Sequence, residues 1–343
     1  MDRVTRWDGA REITEPVEMC RPDGTLDDAA VGWTRTPLHR SRIPGRGRTK
    51  RWEYWCVQSP ELVLALTVSD LDYAALCSMW VLDLTATDGP RETGVSRLLP
   101  LRRIPMPERS GGGPVRIEHR GFLVEAVPTA TGVHLSARAE DVEADVAVTR
   151  PAGHEALGVV VPWSSRRFQH TVKENTLPAQ GTVRVGARTH ELGGPDTWAT
   201  LDHGRGRWPY RITWNWGSGS GRILRDGREH VLGIQVGGAW TDGTGSTENA
   251  ITLDGRLHPA HEDLLWTYDR ADWTGPWRVR APSGALDLEL RPAYERRDRL
   301  QLGVLFNETH QCFGTWHGTV TVDGVPLAVG GVRGWVEEVR NRW

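Results

Sequence analysis

The chain lacks most of what would assign it to a well-marked functional class. It has only 4 cysteines among 343 residues (Cys20, Cys56, Cys77 and Cys312), with no CxxC pair and no metal-like spacing, so neither a disulfide framework nor a zinc site is expected. It lacks a charge imbalance: 42 Lys plus Arg face 44 Asp plus Glu, a formal net charge of -2, which leaves no global field for nucleic acid or anionic lipid. It lacks a long apolar run. The greasiest piece, ELVLALTV, is of strand length, far short of the roughly 20 residues needed to span a bilayer, so no membrane span is expected. The opening MDRVTRWDGA has neither the basic start nor the apolar core of an export signal, and a reducing, cytoplasmic setting is expected. Phe and Tyr are scarce, at 4 and 5 copies. Tryptophan is abundant, with 17 copies, and eleven of them lie from Trp198 onward. Indole combines a broad apolar face with one N–H donor, so it suits a large β core and equally a shaped, hydrogen-bonding site.

Helical periodicity is also missing: no stretch holds a 3.6-residue apolar stripe over three turns, and YERRDRLQLGV and AHEDLLWTY read as short helix, strand or turn. Period two is frequent. From Val133 to Val148 apolar and polar residues alternate, as in strands with one wet face, and HVLGIQVGG, GALDLELRP and HGTVTVDGVPLAVGG repeat the pattern. Asp226-Gly227, Asp254-Gly255 and Asp323-Gly324 have the chemistry of tight hairpin turns. Earlier strands are expected at Trp52 to Val57 and Leu62 to Val68, after a basic turn holding Arg46, Arg48, Lys50 and Arg51. The length exceeds what one core usually fills. The expectation is an all-β protein of two antiparallel barrels or sandwiches, residues 1–185 with an irregular lead-in and residues 186–343, divided near LPAQG and ELGGPDTW.

Familiar catalytic motifs are absent. GSGSGR at 217–222 lacks the lysine and the strand-to-helix frame of a phosphate loop, HPAHE at 258–262 is not HExxH, and there is no GxSxG elbow. What remains is a set of acids among indoles and amides. Glu174, Asp202, Glu248 and Glu308 are the candidate catalytic acids, because a carboxyl beside indoles loses hydration and holds its proton to higher pH. Each can equally bind its own turn or a nearby arginine. Candidate ligand contacts are Asn175, Trp208, Arg211, Trp214, Asn215, Trp216, Asn249, His261, His310 and Trp316. Around Trp214 the stretch RWPYRITWNWGSGSGR, read as a strand, sets Tyr210, Ile212, Trp214 and Trp216 on one face and Arg211, Thr213 and Asn215 on the other, with GSGSG at a slim strand end.

These segments resemble the bacterial DUF2804 family of uncharacterised proteins. The resemblance lies in RWEYWCV, SDLDYA, KENTLPAQG, LDHGRGRWPYRITWNWGSGSG, TDGTGSTENAITLDGRLH, HEDLLWTYD with WTGPWRV, FNETHQCFGTWHG and GWVEEV, and covers nearly the whole chain. The chain departs from the family pattern at His203, where a bulkier residue is common, and near Ser218 and Gly219, where alanine is. The family is similar, remotely, to proteins with two lipocalin-like β domains, among them carotenoid hydratases and tocopherol cyclase. That resemblance implies protonation of a double bond in a largely apolar small molecule; no metal and no cofactor are expected. The polar residues crowded among the tryptophans leave two other readings open: carbohydrate chemistry with paired carboxylates, and a protein that only binds a small molecule.

Overall fold

In this computed structural model residues 7–45, 47–303 and 305–342 are described; the opening MDRVTR, Arg46 of the basic turn, Val304 and Trp343 lie outside them. The described residues form two curled, antiparallel half-barrel sheets in a lipocalin-like double-barrel arrangement, of 13 and 9 strands, and a short parallel pair in the lead-in, Val17–Glu18 with His39–Arg40. The first sheet runs from Arg91–Pro100 through Ala74–Asp83, Leu62–Asp70, Thr49–Gln58 and Trp198–Arg207 to Arg167–Val185, then through Val142–Thr149, Gly132–Ala139 and Phe122–Thr129 to Val115–His119. The second runs from Arg256–Ala260 through Asn249–Leu253, Arg228–Gly238, Arg211–Arg225, Val325–Arg342, Leu305–Val322 and Leu286–Leu302 to Trp277–Arg280 and Leu265–Thr267. One 3-10 turn, Asp28–Ala30, is the sole helical element among the described residues.

The local rules are those of the sequence. Val142–Thr149 alternates buried and exposed at every position. Each Asp-Gly pair closes a two-residue hairpin with both residues at positive φ: 51° and 73° at Asp226 and Gly227, 50° and 82° at Asp254 and Gly255, 50° and 77° at Asp323 and Gly324. The ambiguous YERRDRLQL is strand, inside Leu286–Leu302, and LWT of the other ambiguous segment is strand too.

Two features depart from the strand-by-strand reading. By hydrogen bonding the chain changes sheet between Arg207 and Arg211, later than the expected 185/186 division, because Trp198–Arg207 pairs with Thr49–Gln58 and Arg167–Val185 of the first sheet. LPAQG lies in the middle of the long Arg167–Val185 strand, which bends at a bulge between Glu174 and Leu177 where Thr176 takes φ 56°. GSGSG likewise is not a strand end: Arg211–Arg225 continues through it, buried. Its glycines make room for Trp316, whose ring carbon Cδ1 would lie 2.6 Å from a Cβ at position 219 and whose Cζ2 would lie 2.9 Å from one at 217.

Each half-barrel has its own apolar core. Trp55, Leu64, Leu66, Val146 and Leu201 fill the first, and Leu232, Ile234, Trp277, Trp316 and Val336 the second. Between the sheets the opposite strand faces meet, with Cys56, Ala65 and Trp80 of the first against Trp216, Phe313 and Trp335 of the second. A neighbouring patch joins Trp33, Val159 and Val161 to Trp240 and Ala250.

Candidate functional site

The register of the first sheet sets Lys173 directly opposite Asp202 and, beside them, Thr171 opposite Gly204, all on the face toward the second sheet. The register of the second sets Trp216 directly opposite Glu337. Where these faces meet, Lys173 and three carboxylates are gathered, with Arg296 close to Glu337. Lys173, Asp202 and Glu337 are each 7% exposed and Glu248 is 1% exposed.

The polar contacts are specific. Lys173 Nζ lies 3.1 Å from Asp202 Oδ1 and 3.5 Å from Glu248 Oε2, and 3.7 Å from the centre of the Trp216 ring. Asp202 accepts hydrogen bonds from Thr171 Oγ1 and from Trp52 Nε1, both at 3.0 Å. Trp240 Nε1 donates to Glu248 Oε1 at 2.8 Å, and Trp214 Nε1 donates to Glu337 Oε1 at 3.0 Å. Glu248 Oε2 is buried and accepts no hydrogen bond among the described residues. Small residues make the approach possible: at Gly204 a Cβ would collide with the Trp52 ring at 2.1 Å, and at Gly237 with Glu248 Cγ at 2.3 Å.

Tryptophans enclose this group. Trp208 stands at their centre, 5.4 Å from Trp52 and 5.4 Å from Trp214, both edge-on, 5.8 Å from Trp163, and stacked on Trp240 at 5.9 Å and 11°.

The electrostatics follow from burial. Desolvation is the largest influence on Glu248 and pushes its carboxyl up to about 7; Lys173 and Trp240 oppose the rise and the charge of Asp202 adds to it. Glu337 is pushed up to about 7 as well, first by burial, against the Trp214 hydrogen bond and the Lys173 charge. Burial acts against the Lys173 ammonium, yet the carboxylates of Asp202 and Glu248 outweigh it and hold its pKa above the usual lysine value. The site thus holds one fixed ion pair and two carboxyls that keep their protons into the neutral range. A carboxyl that titrates near 7 can act as a general acid at neutral pH.

Of the candidates from the sequence, Asp202, Glu248, Trp208, Trp214 and Trp216 lie together here. Glu174, next to Lys173 but facing into the first barrel, is clamped by Arg150 at 2.6 and 2.7 Å. Asn175 sits at the bulge and ties the sheets together, donating to Ile234 O at 3.0 Å. Asn249 accepts from Gly237 N and donates to Glu262 O, fixing the base of the loop that carries Trp240 and Glu248. His261 is tilted against Trp33 at 5.7 Å, and Trp316 is in the second core. Arg211, Asn215, Glu308 and His310 lie on the concave face of the second sheet, the side of the Arg211–Arg225 strand away from the acids. His203 faces Glu53 inside the first barrel, at 3.3 Å.

Lys173, Glu337, Trp52 and Trp240 belong to the group but were not among the candidates. Their signal was present: a lysine in the apolar alternation of HTVKEN, paired acids in GWVEEV, and indoles in RWEYW and GAWTDG. Among the described residues no group of three His, Cys, Asp or Glu side chains is placed to hold a metal ion, and no helix is long and apolar enough to cross a membrane.

Fold and site together define a lipocalin-like double-barrel protein with buried acids set among tryptophans between its two sheets. The chain belongs to the family described as "Domain of unknown function (DUF2804)", which matches residues 10–343. Comparison with curated proteins gives no match. Among solved structures the chain is similar to kievitone hydratase from Nectria haematococca, at 12% identity and a TM-score of 0.49 over 87% of this chain and 89% of that one. It is similar also to CghA, at 11% identity and a TM-score of 0.49 over 90% of this chain and 89% of that one.

Proposed function

We propose that the inter-sheet group is the active site of an enzyme that performs acid-catalysed addition, isomerisation or cyclisation on a small, largely apolar ligand. The observation that carries this reading is Glu248: a buried carboxyl with one oxygen fixed by Trp240, the other 3.5 Å from the Lys173 ammonium, and a pKa of about 7 among indole faces. In this reading Glu248 gives its proton to a ligand double bond, leaving a carbocation and a carboxylate. The Lys173 ammonium at 3.5 Å is placed to pair with that carboxylate as it forms. The indole faces stabilise the cation until water, an internal nucleophile or loss of a proton ends its life.

Carbohydrate hydrolysis has less support, because the acids are covered by indoles and the indole N–H groups point inward to carboxylates rather than outward to hydroxyls. The test is incubation in D2O with a panel of isoprenoid and prenyl-aromatic alkenes, followed by mass spectrometry. Deuterium on carbon in the product or recovered alkene, lost in Glu248→Gln, is expected. Hydrolysis of aryl glycosides by the wild type would replace this reading with the carbohydrate one, and bound alkene without exchange would make the protein a binder only.

A further inference from the structure

The Arg211–Arg225 strand has a second polar face, turned away from the acids. On it Arg297, His310, Glu338 and Asn215 stand directly opposite one another across four strands. The next two rows toward the sheet's end add Arg299, Glu308 and Arg340, then Arg342 and Arg211. Residues directly opposite share a face, so five arginines line the concave side of one sheet end. Arg270 reaches the same place from a neighbouring segment and pairs with Glu338 at 2.7 Å.

The carboxylates on this face are Glu338, Glu308 and Glu295. Glu338 is buried and already holds Arg270, Arg340 and the Tyr268 hydroxyl, while Glu295 holds His310 at 2.7 Å. Glu308 is different: Arg297, His310 and Arg340 surround it at 3.8 to 3.9 Å, too far to hydrogen-bond. That spacing leaves the guanidinium forks of Arg297 and Arg340 with donors to spare, and Arg211 and Arg299 make no side-chain hydrogen bond among the described residues. One wall is aromatic. Trp273 stacks on His310 at 3.8 Å and 7°, and Tyr268 stacks on Trp277 at 3.7 Å and 8°.

From this juxtaposition we infer that the open end of the second sheet is a separate binding site for a flat organic anion, its carboxylate or phosphate held by Arg297, Arg299 and Arg340 and its unsaturated body set against Trp273. Arginine forks match both head groups, and the aromatic wall supplies what an inorganic anion does not use. The site is independent of the acid chemistry, since the strand between them presents Trp214 and Trp216 to one side and Asn215 to the other.

The experiment is isothermal titration of the full chain, at low and at moderate salt, with 2-naphthoate, 2-naphthyl phosphate, neutral 2-naphthol and inorganic phosphate. Both naphthyl anions should bind, more weakly as salt rises, and the tighter of the two identifies the head group. Arg297→Ala with Arg299→Ala, both at exposed positions, should weaken them at least about tenfold. Trp273→Leu should weaken the naphthyl anions and leave inorganic phosphate unchanged. No binding of the naphthyl anions, equal binding of naphthol, or wild-type affinity in either variant would overturn the inference.

Discussion

The ammonium of Lys173 lies 3.7 Å over the centre of the Trp216 ring, joining the first sheet to the second through a cation–π contact. The same ammonium pairs with Asp202 at 3.1 Å. One side chain therefore both docks the half-barrels and neutralises a buried carboxylate.

Lys173→Met should be costly for that reason. It leaves Asp202 buried without its counter-charge, a loss of roughly 3 to 5 kcal/mol in urea unfolding. The Glu248 carboxyl should also titrate at still higher pH, since Lys173 is the main group pulling it down.

Stability should fall as pH rises through the range set by the raised carboxyls. Glu248 and Glu337 go from an ordinary 4.5 to about 7 on folding, so between those values the folded state binds more protons than the unfolded state. Stability contributed by the protonated acids is then full below about pH 4.5 and is lost up to about pH 7, on the order of 3 kcal/mol for each group. Glu248→Gln should remove its share of this slope. The check is the urea midpoint measured from pH 5 to 8 for wild type and variant.

Arg150→Met should destabilise the first barrel by roughly 3 kcal/mol, because it strands the buried Glu174 that Arg150 holds with two hydrogen bonds. It should leave the Glu248 titration where it is, since Glu174 faces the other side of the sheet. Thermal unfolding and carboxyl infrared spectra check the two halves.

Gly219→Ala places a methyl 2.6 Å from Trp316 Cδ1 and 3.1 Å from the Arg333 carbonyl, so a cost of about 1 to 3 kcal/mol is expected in chemical denaturation. Gly227→Ala meets no atom within 4 Å but sits at φ 73°, and should cost about 1 kcal/mol through backbone strain alone.

The fold was readable where the rule is local. Alternation over Val133 to Val148 and the three Asp-Gly turns each specify their own few residues, and two antiparallel β units follow from repeating them. The extent of the first sheet was not readable, because the bulge at Thr176 lets a segment containing Pro178 continue as strand. The site was partly readable. Asp202 and Glu248 stand out in the sequence as acids in aromatic and amide contexts, no more than Glu174 and Glu308 do; VKEN and VEEV each offer two neighbouring charges, and only register decides that Lys173 and Glu337 turn toward the other sheet while Glu174 and Glu338 turn away. The glycines of GSGSG carry no trace of their partner, since Trp316 is far along the chain.

The most direct measurement is the infrared carboxyl stretch of the protein in D2O as a function of pD, taken as the difference between wild type and Glu248→Gln. A protonated C=O band that belongs to Glu248 and disappears with a midpoint near 7 is expected. A midpoint near the ordinary 4.5, or no protonated band at pD 6, would contradict it.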